Sequence, residues 1–478
     1  MTQYDEFILE VRHDNEVLAT YRRQRDRTWE ETAKKSSVSA DPQVRKYLDY
    51  FVELLNRGDL DEKGIKMLGE GLYDALFSGQ IGALFDEAME SVRSTKRKLR
   101  VWISVDQMSQ IVRWPLEFLR SSSGKFWLAT ENQYITLSRN ISFQNTSCRP
   151  KRHGPPLKIL IVVSKPNDLG GLMTRAIEDI SKWAAGVEGE SSIQIKLLGT
   201  VEKFELAPNV QYLEKSATLA NIKAVNASFA PDILHFIGHG RVKGDESALA
   251  LVDDYESGEW CTAGEFQEII QGCTPSLIVL QACESAQPTT GSGFMSLAAH
   301  LVQTNIPAVV AMQFEFRNDC ATEFATAFYQ AIANGLEVDA AVQNGRSTIS
   351  LSSSLKVRWR ERHFGTPVLF MLSPEGIILP VSASATPGAP ERQLETSLDV
   401  PATAKSTSKR QDLIKELIQD AVSKDRLDLA QKLIKNFSEL EGIESPKRPG
   451  VELERAQPST TAGIIEAESA FSEASNAN

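Results

Sequence analysis

Two short apolar runs end in residues that can do chemistry. Asp232 to Gly240 (DILHFIGHG) closes on His239 and Gly240, and Leu277 to Ser285 (LIVLQACES) delivers Cys283. A thiolate is a nucleophile, and an imidazole takes or gives a proton near neutral pH. Brought together, they form the working pair for acyl transfer through a covalent thioester, the chemistry of a cysteine protease. Each run is β-branched and aliphatic before it breaks into small and polar residues, which is the pattern of a buried strand. Between them lie an expected edge strand (Ala248 to Val252) and a helix (Thr262 to Gln271). That helix is the crossover that parallel neighbouring strands require. In an open α/β sheet the reactive crevice lies at the carboxyl ends of the strands.

The other candidates read as structural. Cys261, Cys273 and Cys320 have the context of small buried hydrophobes. His235 lies within its strand and reads as a hydrogen-bonded core histidine, while His13, His153, His300 and His363 have no constellation around them. His235 and His239 would share a helix face, but along a strand they stand roughly 13 Å apart. With no CxxC or HExxH pattern, neither a metal nor another cofactor is expected.

Composition narrows the class. The chain has 478 residues, 42% hydrophobic, with five Cys in no dense pattern, which argues against a disulfide scaffold. A net charge of −11 disfavours direct nucleic-acid binding, and the basic stretches at Lys96 to Arg100 and Lys151-Arg152 read as solvated faces. No apolar run reaches membrane-spanning length and the N-terminus is acidic, so no membrane association and a cytoplasmic location are expected.

Residues 1–150 read as an α+β region: a hairpin over 5–23, a polar loop from Trp29 to Ala40, three helical stretches between Leu48 and Val92, and a strand from Leu99 to Val105. Trp127 to Ile135 is expected to hold another strand. His153-Gly154-Pro155-Pro156 marks a boundary. Over 151–380, strands and helices then alternate (strands at Ile159 to Val163, Ile193 to Leu198 and Ala308 to Met312; a helix over about 171–185; helices from Cys320 and from Val338). This predicts a doubly wound, mostly parallel α/β sheet with helices on both faces, closed by Pro367 to Leu372. Residues 381–409 are rich in Ser, Thr, Ala and Pro and read as a disordered linker. Residues 410–442 recover helical periodicity on both sides of Ser423-Lys424-Asp425, as a helical hairpin and interaction module, and 443–478 read as a disordered tail.

With these residues in hand, the chain resembles a known family. HFIGHG and VLQACES are similar to the His-Gly and QACxG pair of the caspase clan, with Glu284-Ser285 a departure from the caspase form. HFIGHG, VLQACES, IPAVVAMQF, FYQAIANG and FGTPVLF together resemble the bacterial CHAT family of caspase-like peptidases, related also to separase. LGEGLYDALFSG, RWPLEFL and LSRNI extend the likeness upstream, to about residues 45–380. RWPLEFL departs from the family's usual Pro-Trp-Glu-Leu.

The resemblance implies a Cys-His dyad with Cys283 as nucleophile, His239 as acid and base, and the backbone N–H groups of Gly240 and Cys283 as oxyanion hole. It implies substrate contacts from Gln281 and, for a basic P1 residue, from Glu315 and Asp319. Asp319 is also a natural N-cap for a helix beginning near Cys320. The expected function is a cysteine endopeptidase acting on a protein substrate, switched on by a regulatory partner in bacterial defence or programmed cell death. The alternatives are a catalytically silent caspase-like scaffold recruiting partners through its C-terminal helices and, more distantly, a small-molecule hydrolase on the same fold.

Overall fold

The computed structural model describes residues 4–25, 28–38, 42–106, 109–142, 156–169, 177, 180, 193–201, 206–243, 246–284, 293–351 and 360–372. The chain falls into two compact units, Met1–Pro390 and Glu391–Asn478. Every described residue belongs to the first. The expected linker, helical hairpin and tail lie outside the described residues.

The chain begins with β1 (Tyr4–Val11), β2 (Glu16–Arg25) and β3 (Thr28–Ser37), an antiparallel meander. Asn15 turns the first hairpin at φ 67°, a left-handed conformation that Asn tolerates. β3 corrects the expectation of a loop over Trp29 to Ala40. Its residues are wet on both faces, so no apolar alternation announces it; the backbone ladder to β2, from Arg25↔Thr28 to Glu16↔Ser37, makes the strand.

Helices α1 (Pro42–Arg57), α2 (Glu62–Leu76) and α3 (Gln80–Thr95) follow. α2 is started by Asp61, whose carboxylate accepts the Gly64 N–H at 2.8 Å. β4 (Lys98–Asp106) and β5 (Ile135–Ser142) then pair in parallel, with β4 beside β1. The strand expected between Trp127 and Ile135 starts only at Ile135; Trp127 makes an isolated bridge to Arg120.

The second half alternates as the sequence predicts. β6 (Leu157–Val163), β7 (Ile193–Gly199) and β8 (Val210–Leu213) lead to α4 (Leu219–Phe229) and β9 (Ile233–Lys243). Of the helix expected over about 171–185, only Ile177 and Ile180 are described, both helical and buried. An antiparallel arm, β10 (Glu246–Val252) and β11 (Gly258–Thr262), runs into α5 (Ala263–Ile270), which starts with a capping box between Thr262 and Glu265. β12 (Leu277–Glu284), α6 (Gly293–Gln303), β13 (Ala308–Met312), α7 (Asn318–Ala333), α8 (Val338–Leu351), α9 (Arg360–His363) and β14 (Pro367–Met371) complete the described chain.

The fourteen strands among the described residues form one sheet. Its main path is β3-β2-β1-β4-β5-β14-β13-β12-β9-β6-β7-β8, with the β10–β11 arm attached to β9. The fold is mixed α/β with a largely parallel central sheet. Strands β6, β9 and β12 are buried on both faces, which is why their sequences read as near-continuous apolar runs. On one face Ile159, Ile161, Ile233, Ile237, Leu277 and Val279 pack with α7 and α8. On the other Leu160, Val162, Leu234, Phe236, Ile278 and Leu280 pack with α4, α5 and α6.

β14 does not close the sheet at an edge, as its place at the end of the alternation suggests. It lies antiparallel to β13 and meets β5 on its other side at Phe370↔Arg139. The expected boundary near residue 150 therefore falls within one continuous sheet. α8 reinforces this seam. Asp339, Gln343 and Arg346, spaced to share one helix face, all point into it. Gln343 accepts from the Leu137 N–H and donates to the Leu128 carbonyl, while Arg346 donates to the carbonyls of Leu137 and Pro367, both at 2.9 Å.

Candidate active site

β9 and β12 lie side by side and parallel, in a register that runs from Leu277↔Ile233 to Cys283↔His239 and Glu284↔Gly240. The two sequence-predicted chemical residues are thus direct cross-strand neighbours. His239 is buried, at 8% exposure. The side chain of Cys283 and residues 285–292 lie outside the described part of the structure.

β9 does not end at His239-Gly240 as its sequence suggests. Its pairing to β6 stops at Val163↔Ile237, and from Gly240↔Leu249 onward it pairs with β10. His239 and Gly240 therefore sit where one long strand exchanges partners. The amide of Gly240 lies between Leu249 of β10 and Glu284 of β12 in register. Gly238, just before, is hemmed in: a Cβ there would stand 2.7 Å from the Phe236 ring and 3.2 Å from the Ser164 carbonyl.

His235 is a core histidine, as expected. Its Nδ1 is 2.9 Å from the Tyr329 hydroxyl. Burial lowers its pKa from 6.5 to about 4, against a smaller opposing effect of the Gln281 side chain. It is neutral at pH 7. Gln281, expected to touch substrate, is 9% exposed and lies beside this ring. Cys261 and Cys320 are buried thiols whose pKa burial pushes up to about 12, which leaves them protonated and unreactive at neutral pH.

Glu315 and Asp319 are exposed. α7 begins at Asn318 with Arg317 in the capping position, so Asp319 is inside the first turn and is not the N-cap. Its carboxylate accepts from the Arg317 guanidinium at 3.1 and 2.6 Å and from the Cys320 N–H at 2.9 Å. The Arg317 hydrogen bonds hold it below the usual carboxylate range. Glu315 lies near Arg362, whose guanidinium stacks on Phe314 at 4.6 Å. His363 is buried beside the Phe316 ring; burial first, then the Arg362 and Arg317 charges, lower its pKa to about 4.

Sequence reasoning missed the polar side chains of the seam. Glu117 grips Arg139 with both carboxylate oxygens, accepts from Gln313 at 2.9 Å, and lies 3.7 Å from Arg346. Glu117, Arg139 and Arg346 are all at 2% exposure or less. Burial lowers the Arg346 pKa to about 10, still far above neutral, so the residue is charged. A second cluster joins Arg100 to Asp339 at 2.7 Å and to Glu337, with the Thr136 hydroxyl also on Asp339 at 2.7 Å. Burial alone would raise the Asp339 pKa, but Arg100 and Thr136 hold it below the ordinary range. The signal was present: Glu117 and Arg139 are charges inside apolar runs (RWPLEFL, ITLSRNI), which a buried partner explains.

The CHAT domain model matches residues 66–390, more than half of the chain. The chain belongs to the CHAT domain family. No curated protein matches it. Among solved structures it is similar to a secreted C11 cysteine protease from Bacteroides thetaiotaomicron, at 10% identity and TM-score 0.29, over 42% of this chain and 60% of that one. It is also similar to separase in the Saccharomyces cerevisiae separase–securin complex, at 14% identity and TM-score 0.33, over 71% of this chain and 20% of that one. A third likeness, to the glycotransferase of kitacinnamycin, has 14% identity and TM-score 0.18, over 55% of this chain and 52% of that one. The chain spans less than two thirds of the length of each, so the family match carries the assignment. Within the CHAT match lie β9, β12 and all the seam residues. Among the described residues no helix is long and apolar enough to cross a membrane.

Proposed function

We propose that this CHAT protein is a cysteine endopeptidase whose working pair is Cys283 and His239. The observation that carries the reading is their register: adjacent parallel strands put the two residues opposite one another where β9 changes partner. The Cys283 thiolate adds to the scissile carbonyl carbon. The resulting oxyanion is held by the N–H groups of Gly240 and Cys283. His239 protonates the amine as the C–N bond breaks, then takes a proton from the water that cleaves the thioester. A dyad needs no metal.

The substrate is a protein segment that can lie extended in the crevice. Glu315 and Asp319 favour a basic P1 residue, which competes with Arg317 for the Asp319 carboxylate. A protease of this kind acts in the cytoplasm under the control of a regulatory protein, with defence or programmed cell death as its setting. A thiol-reactive activity probe applied to the full chain and to Cys283→Ala tests the core of the reading. Labelling present in the parent and lost in the variant supports it. Equal labelling of both, or none in the parent with any candidate activator, favours a silent scaffold.

A further inference from the structure

Just beyond His239, Arg241 stands on the same face of β9, because alternate residues of a strand share a side. Ile233 and Ile237 lie on that face too, in one core cluster with Cys320 and Phe324 of α7. The Arg241 guanidinium is placed over the Trp260 ring, 4.2 Å from its centroid. The register explains the contact. β10 sets Ala248 opposite Arg241, and β11 sets Trp260 opposite Ala250, so small residues leave a shelf across which the long side chain reaches the ring.

An exposed arginine is ordinarily a solvated charge. This one is held in a fixed place beside the candidate dyad. Stacking fixes a guanidinium while leaving its edge N–H groups to donate, the presentation that a carboxylate accepts as a bidentate pair. Glu246, the acid of the β9–β10 turn in register, stands opposite Lys243 and not opposite Arg241. Among the described residues Arg241 has no carboxylate partner. The crevice is polarised as a result. β13 and β10 flank the β12–β9 pair on opposite sides; Glu315 and Asp319 follow β13, and Arg241 reaches over β10.

We infer that Arg241, stacked on Trp260, determines specificity by taking the carboxylate side chain of a substrate Asp or Glu close to the scissile bond. The strand sets the spacing: Arg241 lies roughly 7 Å along β9 from His239, a span that an extended substrate covers in about two residues. The preferred segment therefore carries a basic residue at the bond and an acidic one about two residues away. The inference deepens the proposed peptidase reading and rests on it.

Equilibrium binding to the full chain carrying Cys283→Ala tests it, read by fluorescence anisotropy at low salt. The probes are short labelled peptides with Arg at P1 and a single Glu, Gln or Lys placed in turn at each flanking position. At one position near the bond the Glu peptide binds about tenfold more tightly than its Gln twin. Arg241→Ala abolishes that preference and Arg241→Lys retains part of it. Arg241→Glu reverses it in favour of the Lys peptide, a swap that a merely structural arginine does not produce. No Glu preference at any position, or one that survives Arg241→Ala, overturns the inference. Turnover by the parent chain tells this failure from failure of the dyad. Cleavage without a Glu preference sinks the subsite alone, whereas a Glu preference without cleavage sinks the peptidase reading and leaves Arg241 as a carboxylate-binding site.

Discussion

Arg346 donates from α8 to the carbonyl oxygen of Leu137 on β5, 2.9 Å away, while its Nε donates to Pro367 on β14. One side chain thus fastens the N-terminal strands to the site-bearing half where the backbone ladder is thinnest. Glu117 supplies the negative charge that lets Arg346 and Arg139 be buried together.

That arrangement makes Glu117 the most sensitive point of the seam. Glu117→Ala leaves two guanidinium groups buried without their carboxylate, at a cost of about 3–5 kcal/mol. Urea unfolding of the variant reads this as a lower midpoint. A loss below about 1 kcal/mol would show that the pair is already solvated.

For the candidate dyad, Cys283→Ala abolishes peptide cleavage and leaves the unfolding midpoint near that of the parent, because a small residue fits a strand position. His239→Ala slows turnover by about two to four orders of magnitude, the usual worth of a positioned acid–base group. Unchanged turnover in either variant would place the chemistry elsewhere.

Stability falls on acidification, and His235 contributes. Its folded pKa of about 4 is below its ordinary 6.5, so the unfolded chain binds more protons between these values and stability drops as pH falls through the window. From pH 7 to pH 5 the loss due to His235 is on the order of 2 kcal/mol. His363, lowered for the same first reason, acts in the same direction. In His235→Gln the pH dependence of the melting temperature between 7 and 5 is shallower; an unchanged slope would assign the acid sensitivity to other groups.

Asp319→Asn separates recognition from structure. If the carboxylate receives a basic P1 side chain, turnover of Arg substrates falls selectively and apolar substrates are unaffected. An equal fall on both, together with a lower melting temperature, would mark the Arg317 clamp as structural.

Gly238→Ala tests how tightly the strand before His239 is packed. A methyl group there overlaps the Phe236 ring, which is itself fully buried, so the variant is destabilised by about 1–3 kcal/mol. Thermal unfolding measures it, and a neutral outcome would show that the ring gives way.

The strands that carry His239 and Cys283 were legible because parallel strands buried on both faces leave long apolar runs, and the break after each run marks where pairing changes. β3 was not legible, because an edge strand wet on both faces has no hydrophobic period. The start of α7 was misplaced for a related reason: Asp319 looks like a cap by residue type, but its carboxylate is held by Arg317. The place of β14 was hidden more deeply. Nothing in PVLFM distinguishes a strand that closes a sheet from one that joins two halves; the information lies in Glu117, Arg139 and Arg346, far apart in sequence and meaningful only together.

The position of β14 also bears on how the protein is made. A ribosome delivers β5 early and β13 much later, and each has one side that stays unmatched until the five residues Pro367–Met371 emerge between them. The halves can condense separately during synthesis, but their union awaits the last described strand of the first unit. Any product of premature termination before that segment carries two open borders, which marks it for aggregation or removal by the cell's quality control.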